Sequence, residues 1–337
     1  MAAPRYRFTA RPAHETSDPF PLAPDAAQRE VVAHRRGPLL VRGGPGTGKT
    51  VTLIEAAAAR VASGVAPSDV LVLGFGRRAA ADLRRRISAR LDVTGAEVPV
   101  YSFQAYAFAI LRRGAAARDR PPPRLLKGPE QDVVIRDLLA SEAVTWPESI
   151  RPALGTRAFV AQLRDLLLRA AERGVSAPRL AELGRRHDRP EWIAAAEFLS
   201  KYVDVLALSS LTGGGAYDTA EIVRAAAAEL AETGDLIRRP AHVFVDDLQD
   251  TDPAQWELLR LLVGGGGNLT AFGDADSATF GFRGGDPVIM RDFCDRFPTA
   301  AGDPPPSVDL TTCHRAAAAP VRVAAHVAAR LRGTDRH

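Results

Sequence analysis

The sequence predicts an α/β protein built on a parallel sheet, and three observations support this fold class. Short apolar, β-branched runs alternate with longer stretches rich in Ala, Arg and Leu, the pattern of a parallel sheet covered by helices. A glycine-rich segment, residues 43–50, directly follows the first of these runs. A long block, residues 113–215, carries helical periodicity and interrupts the alternation, so we expect an inserted all-helical domain.

The alternating pattern predicts six strands, each a short apolar run beside polar or glycine-rich residues. They are Leu39–Val41, Val70–Phe75, Val98–Tyr101, His242–Asp246, Leu269–Phe272 and Val308–Leu310. Inside the interrupting block, the spacing of apolar residues predicts helices only. These helices are Glu130–Ser141, Ala158–Arg173, Ala177–Arg185 and Trp192–Ser209. Pro121–Pro123 and Gly213–Gly215 flank the helices, as expected for joints between domains.

Composition is typical of a soluble globular protein. Hydrophobic residues make up 46% and charged residues 25% of the 337 residues. No apolar run is long enough to span a membrane. Residues 1–19 lack the apolar core of a signal peptide, and we expect a disordered arm there. Cys294 and Cys313 supply neither a disulfide framework nor the spacing of a metal site. We therefore expect a cytoplasmic protein that has no membrane partner.

Residues 43–50, Gly-Gly-Pro-Gly-Thr-Gly-Lys-Thr, match the phosphate-binding loop pattern G-x-x-x-x-G-K-[ST]. A predicted strand precedes this loop and a helical stretch follows it, as the pattern requires. Glycines let consecutive backbone N–H groups converge on phosphate oxygens. Lys49 would contact the β- and γ-phosphates, and the Thr50 hydroxyl would hold Mg²⁺. The alternative is a glycine turn beside a surface lysine. We predict that a nucleoside triphosphate binds at Gly44, Gly46, Thr47, Gly48, Lys49 and Thr50.

A second acidic element should accompany such a loop, because Mg²⁺ needs a carboxylate partner and the attacking water needs a base. The apolar strand residues 243–245 are followed by Asp246 and Asp247. The carboxyl end of a parallel strand is where ligands of α/β proteins bind. Asp246 would orient Mg²⁺, and Asp247 would activate or position the water. The alternative is an acidic turn that caps the helix beginning near Pro253.

Six segments resemble motifs of UvrD/Rep-type superfamily 1 DNA helicases and occur in the family's order. Asp246–Thr251 resembles the signature D-E-x-Q-D-T. The others are Leu22–Gln28 (L-N-x-x-Q), Leu73–Ala80 (T-F-T-N-K-A-A), Ser102–Ala105 (T-F-H-S), Gly273–Gly284 (G-D-x-D-Q-S-I-Y-x-F-R-G) and Leu310–Arg315 (L-x-x-N-Y-R). Because the matches follow one another across roughly residues 20 to 320, the chain resembles this family over most of its length.

The resemblance implies roles for further residues in binding ATP. In this family the glutamine at the position of Gln28 contacts the adenine of ATP. The arginine at the position of Arg315 reaches the γ-phosphate and stabilises the charge that develops during transfer. For Arg315, the alternative is a surface residue at the start of a helix.

The resemblance also implies that single-stranded DNA crosses the top of the motor, where aromatic side chains stack on successive bases. The matching positions are Phe75, Phe280 and Phe282, with Arg283 as a backbone or stacking contact. Taken singly, each phenylalanine would be expected in the core. Arg77 and its neighbour Arg78 could contact DNA phosphates or could form a solvated start of a helix.

Domain boundaries follow from the resemblance. Residues 20–112 and 216–302 would form a discontinuous RecA-like ATP-binding domain, called 1A in the family. Residues 113–215 would form the helical insertion, called 1B. Residues 303–337 would form the truncated start of a second RecA-like domain, 2A. Because a translocase needs two lobes that close around ATP, we expect that the chain alone does not unwind DNA efficiently.

The leading functional prediction is the N-terminal half of an ATP-dependent DNA helicase, which hydrolyses ATP with Mg²⁺ while bound to single-stranded DNA in repair or recombination. Asp247 and Ser277 replace a glutamate and a glutamine of the family, and a shorter carboxylate would slow hydrolysis. The alternative is therefore an ATP-binding, weakly catalytic or inactive scaffold subunit of a repair complex. Its partner would be a second motor or a nuclease subunit. A P-loop kinase of a small metabolite would leave the aromatic motifs without a role.

Overall fold

The computed structural model describes residues 23–91, 97–211, 215–233, 237–328 and 330. The predicted arm over residues 1–19 lies outside these ranges. So do Leu22 of the first family segment and Gly213 and Gly214 of the predicted joint.

The strands agree with the alternating pattern of the sequence. They are β1 (Leu39–Gly43), β2 (Val70–Gly74), β3 (Val100–Ser102), β4 (Arg124–Leu125), β5 (Ala216–Tyr217), β6 (His242–Val245), β7 (Asn268–Gly273) and β8 (Ser307–Leu310). Six of them form one sheet in the order β3–β2–β6–β7–β1–β8, and every recorded pair in it is parallel. The six predicted strands are confirmed, and none of their ends is shifted by more than two residues.

Helices cover both faces of this sheet and build the insertion. They are α1 (Ala26–Ala33), α2 (Lys49–Ala62), α3 (Gly76–Leu91), α4 (Phe103–Ala117), α5 (Gly128–Ala140), α6 (Arg157–Glu172), α7 (Ala177–Arg186), α8 (Pro190–Leu211), α9 (Glu221–Thr233), α10 (Pro253–Val263), α11 (Val288–Arg296) and α12 (Ala318–Ala328). Within the described ranges, no helix combines the length and the apolar character needed to cross a bilayer.

Two apolar layers hold the sheet between its helices. On one face, Val41, Val72 and Phe244 pack in a buried cluster with Leu53 and neighbouring residues of α2 and α3. On the other face, residues 71, 245 and 269 pack with α4, α9, α10 and α11. Since both faces are covered, the strands need apolar residues at successive positions, which explains their continuous apolar runs.

Strand β8 corrects the predicted start of a second domain. The resemblance predicts that residues 303–337 begin a separate RecA-like lobe, but β8 pairs in parallel with β1 in the central sheet, where Val308 lies opposite Val41. Arg42 of β1 also forms an ion pair with Asp309, with Nε 2.7 Å from the carboxylate. β8 is therefore an edge strand of the central sheet. The local pattern predicts a strand at this position but does not specify its partner.

The insertion has its own core, in which Trp146, Leu163, Phe198 and Tyr202 are buried together. Its four predicted helices are confirmed as α5 to α8, each with ends close to the expected residues. The expectation of helices alone is wrong in one detail, because β4 and β5 pair in parallel at the base of the insertion. Helix α4 also crosses the predicted boundary at residues 112 and 113 without a break. The other predicted domain boundaries remain predictions.

Candidate nucleotide site and aromatic surface

The phosphate-binding loop lies between the end of β1 and the start of α2. Gly46 and Gly48 have φ angles of 85° and 88°, a left-handed backbone that favours glycine. Lys49 is the first residue of α2, and its Nζ donates to the carbonyl oxygens of Gly43, at 2.5 Å, and Gly44, at 3.2 Å. The ammonium group is therefore held over the mouth of the loop, at the N-terminus of a helix, where anions bind.

Thr50 and Asp246 connect the loop to the end of β6. The Thr50 hydroxyl donates to Asp246 Oδ2 over 3.0 Å. Asp246 is only 6% exposed, and its Oδ1 has no hydrogen-bond partner among the residues that the structure describes. Burial, and secondarily the charge of Asp247, raises the pKa of Asp246. A buried carboxylate oxygen without a partner is costly, and a divalent cation would satisfy it.

The described residues contain no group of three or more His, Cys, Asp or Glu side chains that could hold a metal ion on their own. Mg²⁺ typically takes one or two carboxylates together with substrate phosphates and water. The Thr50 hydroxyl and Asp246 Oδ2 lie 3.0 Å apart, so these two side chains could hold Mg²⁺ next to a bound triphosphate.

Asp247 begins the tight turn that follows β6. Its φ and ψ angles of 54° and 49° are left-handed, which is uncommon for a residue other than glycine. Its Oδ1 accepts a hydrogen bond of 3.3 Å from Gln249 Nε2. Backbone strain of this kind costs on the order of 1–3 kcal/mol and persists where surrounding contacts enforce it. Asp247 is therefore held at the mouth of the site, next to Asp246, by its turn.

Gln28 joins the nucleotide site from α1. Its backbone and side chain form a reciprocal capping pair with Asp25, and its Nε2 donates to the Thr47 carbonyl oxygen over 3.3 Å. A Cβ at Gly48 would lie 2.7 Å from this Nε2, and the φ angle of 88° at Gly48 is the feature that favours glycine there. The structure thus brings the predicted adenine residue against the predicted phosphate loop.

The segment after β8 packs on the same loop. The His314 N–H donates to the Gly46 carbonyl oxygen over 2.9 Å, and Cys313 Sγ lies 3.6 Å from the Pro45 carbonyl oxygen. A Cβ at Gly46 would lie 2.8 Å from Arg315 Cβ. Because β8 neighbours β1 in a parallel sheet, both strands end at the same edge. Arg315 is exposed beside the loop. The contacts that Cys313 and His314 make with the phosphate-binding loop could not be predicted from their residue types.

Three phenylalanines from two distant segments form an aromatic surface together with one arginine. This surface is defined here as Phe75, Phe280, Phe282 and Arg283. The Phe75 and Phe280 ring centroids are 4.2 Å apart, and those of Phe280 and Phe282 are 5.8 Å apart. The Arg283 guanidinium lies 5.6 Å from the centroid of the Phe282 ring. Phe282 is 71% exposed, whereas the other two phenylalanines are half-buried. Arg77 is exposed in the first turn of α3.

Helix α6 of the insertion supports this surface. Arg169 donates from one guanidinium nitrogen to the Phe282 carbonyl oxygen and from the other to Glu172, both over 2.8 Å. Burial raises the pKa of Glu172 to about 8, and burial likewise raises the pKa of nearby Asp252 to about 7. Phe282 lies in a predicted motif, but no motif signals Arg169, Glu172 or Asp252, which lie in an insertion helix and at a helix cap.

Glu172→Gln is expected to make folding stability less dependent on pH. Glu172 keeps its proton in the folded state up to about pH 8, whereas its ordinary pKa is 4.5. The folded state therefore binds more protons across this window, and the free energy of unfolding falls as the pH rises through it. Thermal unfolding measured from about pH 5 to about pH 9 should show a smaller fall in the free energy of unfolding for Glu172→Gln than for the wild type. Glu232 is exposed, and the control variant Glu232→Gln should show the same fall in the free energy of unfolding as the wild type. If the free energy of unfolding of the two variants depends equally on pH, Glu172 is not the group responsible.

The fold and the site together define a P-loop nucleotide-binding domain of the RecA type, with an aromatic surface beside the carboxyl ends of its strands. The chain belongs to the family described as UvrD/REP helicase N-terminal domain, whose model matches residues 25–298.

Curated relatives agree with this membership. The chain is 32% identical over 297 residues to the ATP-dependent DNA helicase UvrD2 of Mycobacterium tuberculosis, covering 85% of this chain and 41% of the relative. It is 29% identical over 302 residues to UvrD1 of Mycobacterium leprae, covering 80% and 35%. It is 27% identical over 279 residues to PcrA of Leuconostoc citreum, covering 81% and 35%. The chain thus spans well under half the length of these helicases.

Proposed function

We propose that this chain is the ATP-binding half of a DNA helicase motor, which hydrolyses ATP with Mg²⁺ while bound to single-stranded DNA during repair or recombination. The observation that carries this proposal is the hydrogen bond between Thr50 and Asp246. It links the phosphate loop to a carboxylate whose buried Oδ1 has no hydrogen-bond partner among the described residues. The family membership and the names of the relatives support the same activity.

Each residue of the site has a chemical task in this proposal. Loop N–H groups and Lys49 bind the phosphates, and Gln28 contacts the adenine. Thr50 and Asp246 would hold Mg²⁺, which would supply positive charge to the phosphate oxygens. Asp247 orients the attacking water by accepting a hydrogen bond from it. Arg315, whose Cβ lies beside Gly46 of the loop, would stabilise charge on the γ-phosphate.

Single-stranded DNA would bind across the aromatic surface. Stacking accepts any base, because every base has an aromatic face. Arg283 and Arg77 would pair with backbone phosphates, an attraction that weakens as salt rises. Unwinding would require two lobes that close around ATP. A second motor or a nuclease subunit would be its partner.

Phe282→Ala is expected to weaken binding to single-stranded DNA. An exposed ring that stacks on a base contributes roughly 1–3 kcal/mol, so Kd should rise about 5- to 150-fold. Fluorescence anisotropy of a labelled oligo-dT at low salt would measure it. Leu208→Ala, which removes an exposed apolar side chain from the insertion, is the matched control. An unchanged Kd for Phe282→Ala would argue against DNA on this surface.

A weakly catalytic scaffold is the second candidate, favoured by Asp247 and by Ser277. The Ser277 hydroxyl donates a hydrogen bond to the Asp274 carboxylate, so this hydroxyl already has a partner within the protein. In this case the chain would bind ATP and DNA but hydrolyse ATP slowly.

Asp247→Glu distinguishes the two candidates. The longer side chain moves the carboxylate about 1.5 Å further into the site, and catalytic geometry is sensitive to about 1 Å. For a motor weakened at this position, phosphate release with oligo-dT should increase about tenfold. Lys49→Ala, assayed alongside, measures the background. If Asp247→Glu and Lys49→Ala both release phosphate at the wild-type rate, the catalytic proposal is wrong.

A further inference from the structure

The end of α6 contacts the turn that carries Phe282, residues 281–286, although the two segments are far apart in the chain. The Arg169 guanidinium donates to the Phe282 carbonyl oxygen over 2.8 Å. Arg173, at the C-cap of the same helix, places its Nη1 3.5 Å from Asp286 Oδ2. The insertion therefore contacts this turn at both of its ends, through side chains that the mechanism above does not use.

A largely buried glutamate fixes the direction of the Arg169 side chain. Glu172 Oε1 accepts a hydrogen bond from the second terminal nitrogen of Arg169 over 2.8 Å, and the two side chains are 15% and 30% exposed. Because the guanidinium is a rigid planar fork, this bond also sets the direction of the nitrogen that meets Phe282. A Cβ at Gly284 would lie 2.6 Å from Glu172 Oε2, so the carboxylate packs closely against the backbone of the turn.

The Phe282 ring depends on its backbone for its position, because the residue is 71% exposed. The N–H groups of Arg283 and Gly285 donate to the Phe280 carbonyl oxygen over 2.8 Å and 3.1 Å. These bonds lie within the turn and give it its shape, but they do not join it to the insertion. The bond from Arg169 makes that connection at the residue that carries the exposed ring.

We propose that Arg169 is a positioning residue for DNA binding, which holds the exposed Phe282 ring in the orientation that stacks on a base of single-stranded DNA. The inference rests on the proposed function. Its physical basis is preorganisation, because a ring that is held in place before DNA arrives loses less conformational freedom on binding. The insertion would thereby contribute to DNA affinity through a side chain that does not itself contact the strand.

The test measures the Kd of a labelled oligo-dT for the full chain and for Arg169→Met, which keeps the apolar stem but removes both hydrogen bonds. We expect Kd to rise about fivefold, the effect of losing one hydrogen bond that orders the ring. In a chain that already carries Phe282→Ala, the same substitution should change Kd by less than about twofold, because the ring that Arg169 positions is absent. The slope of log Kd against log salt concentration should stay at its wild-type value, whereas loss of a phosphate contact would reduce it by about 0.7.

Arg164→Met is the matched control on the same helix. The Arg164 side chain is 25% exposed and its Nη1 lies 2.6 Å from Asp132 Oδ1, so this variant loses an ion pair inside the insertion. It should bind oligo-dT with the wild-type Kd. Fluorine NMR of chains labelled with para-fluorophenylalanine reports the ring itself. The Phe282 resonance, assigned by its loss in Phe282→Ala, should shift in Arg169→Met and stay in place in Arg164→Met.

A second variant covers the possibility that Arg169→Met does not fold. Arg169→Gln keeps a polar side chain that can donate to Glu172, but it is too short to reach the Phe282 carbonyl oxygen as well. It should raise the Kd for oligo-dT by about the same fivefold factor.

The outcomes separate the inference from the function on which it rests. If the wild-type chain does not bind oligo-dT, or if Phe282→Ala leaves its Kd unchanged, the proposed DNA surface fails and the inference fails with it. If both results hold but a folded Arg169→Met or Arg169→Gln variant keeps the wild-type Kd, the inference alone is wrong. It is also wrong if Arg169→Met weakens binding equally with and without the Phe282 ring, because Arg169 would then act on DNA by another route.

Discussion

Lys49→Ala is expected to weaken ATP binding by about a hundredfold or more and to abolish hydrolysis. The Lys49 ammonium lies within 2.5 Å and 3.2 Å of the Gly43 and Gly44 carbonyl oxygens, at the mouth of the loop. Loss of one partner from a close charge pair typically costs about 2–5 kcal/mol, and each 1.4 kcal/mol is about tenfold in Kd. Isothermal titration with Mg²⁺ and ATP would measure this change.

Lys127→Ala is the matched control for this prediction. Lys127 is one of the chain's two other lysines, and it is exposed at the start of α5. The Lys127→Ala variant should bind ATP with the wild-type Kd. A wild-type Kd for Lys49→Ala would mean that the loop does not bind phosphate through this residue.

Asp246→Asn is expected to change activity and stability in opposite directions. The Asp246 carboxylate is buried, one of its oxygens has no hydrogen-bond partner in the part of the chain that the structure describes, and burial raises its pKa. A neutral amide avoids burying this charge, so the Tm of the chain without ligands should rise by about 2–4 °C for each kcal/mol gained. The amide oxygen can still accept from Thr50, but the negative charge that attracts Mg²⁺ is lost. Hydrolysis should therefore fall by about a hundredfold or more.

The combined result is diagnostic because a merely structural aspartate would not give it. Asp137→Asn, at an exposed position of α5, should change neither the Tm nor hydrolysis appreciably. Differential scanning calorimetry and a phosphate-release assay on the same preparations measure both effects. If Asp246→Asn lowers the Tm and leaves hydrolysis intact, the carboxylate supports the fold and not a metal.

The fold was predictable where the pattern is local. Each strand of the central sheet is a short apolar run that must be buried on both faces, and such runs are visible in sequence. The partner of a strand is not local information. β8 pairs with β1, which lies far away in the chain, and its assignment to a separate lobe was therefore wrong.

The candidate site shows the same division between local and distant information. The loop around Lys49 and the acids after β6 have recognisable patterns, and the sheet order explains why they meet. β6 and β1 flank β7, so their carboxyl ends share one edge, and the Thr50 hydroxyl reaches Asp246 across it. The left-handed backbone of Asp247 and the amide contacts of Gln249 depend on the folded turn. No residue type signals them in advance.

Equilibrium binding of Mn²⁺, a paramagnetic substitute for Mg²⁺ that electron paramagnetic resonance detects, tests the central claim most directly. If a triphosphate and a divalent ion are held between the loop and Asp246, the chain should bind a single Mn²⁺ tightly only when ATP is present. Lys49→Ala and Asp246→Asn should each abolish this binding. The claim is contradicted if ATP binds equally well in EDTA and in Mn²⁺, or if Asp246→Asn holds Mn²⁺ as tightly as the wild type.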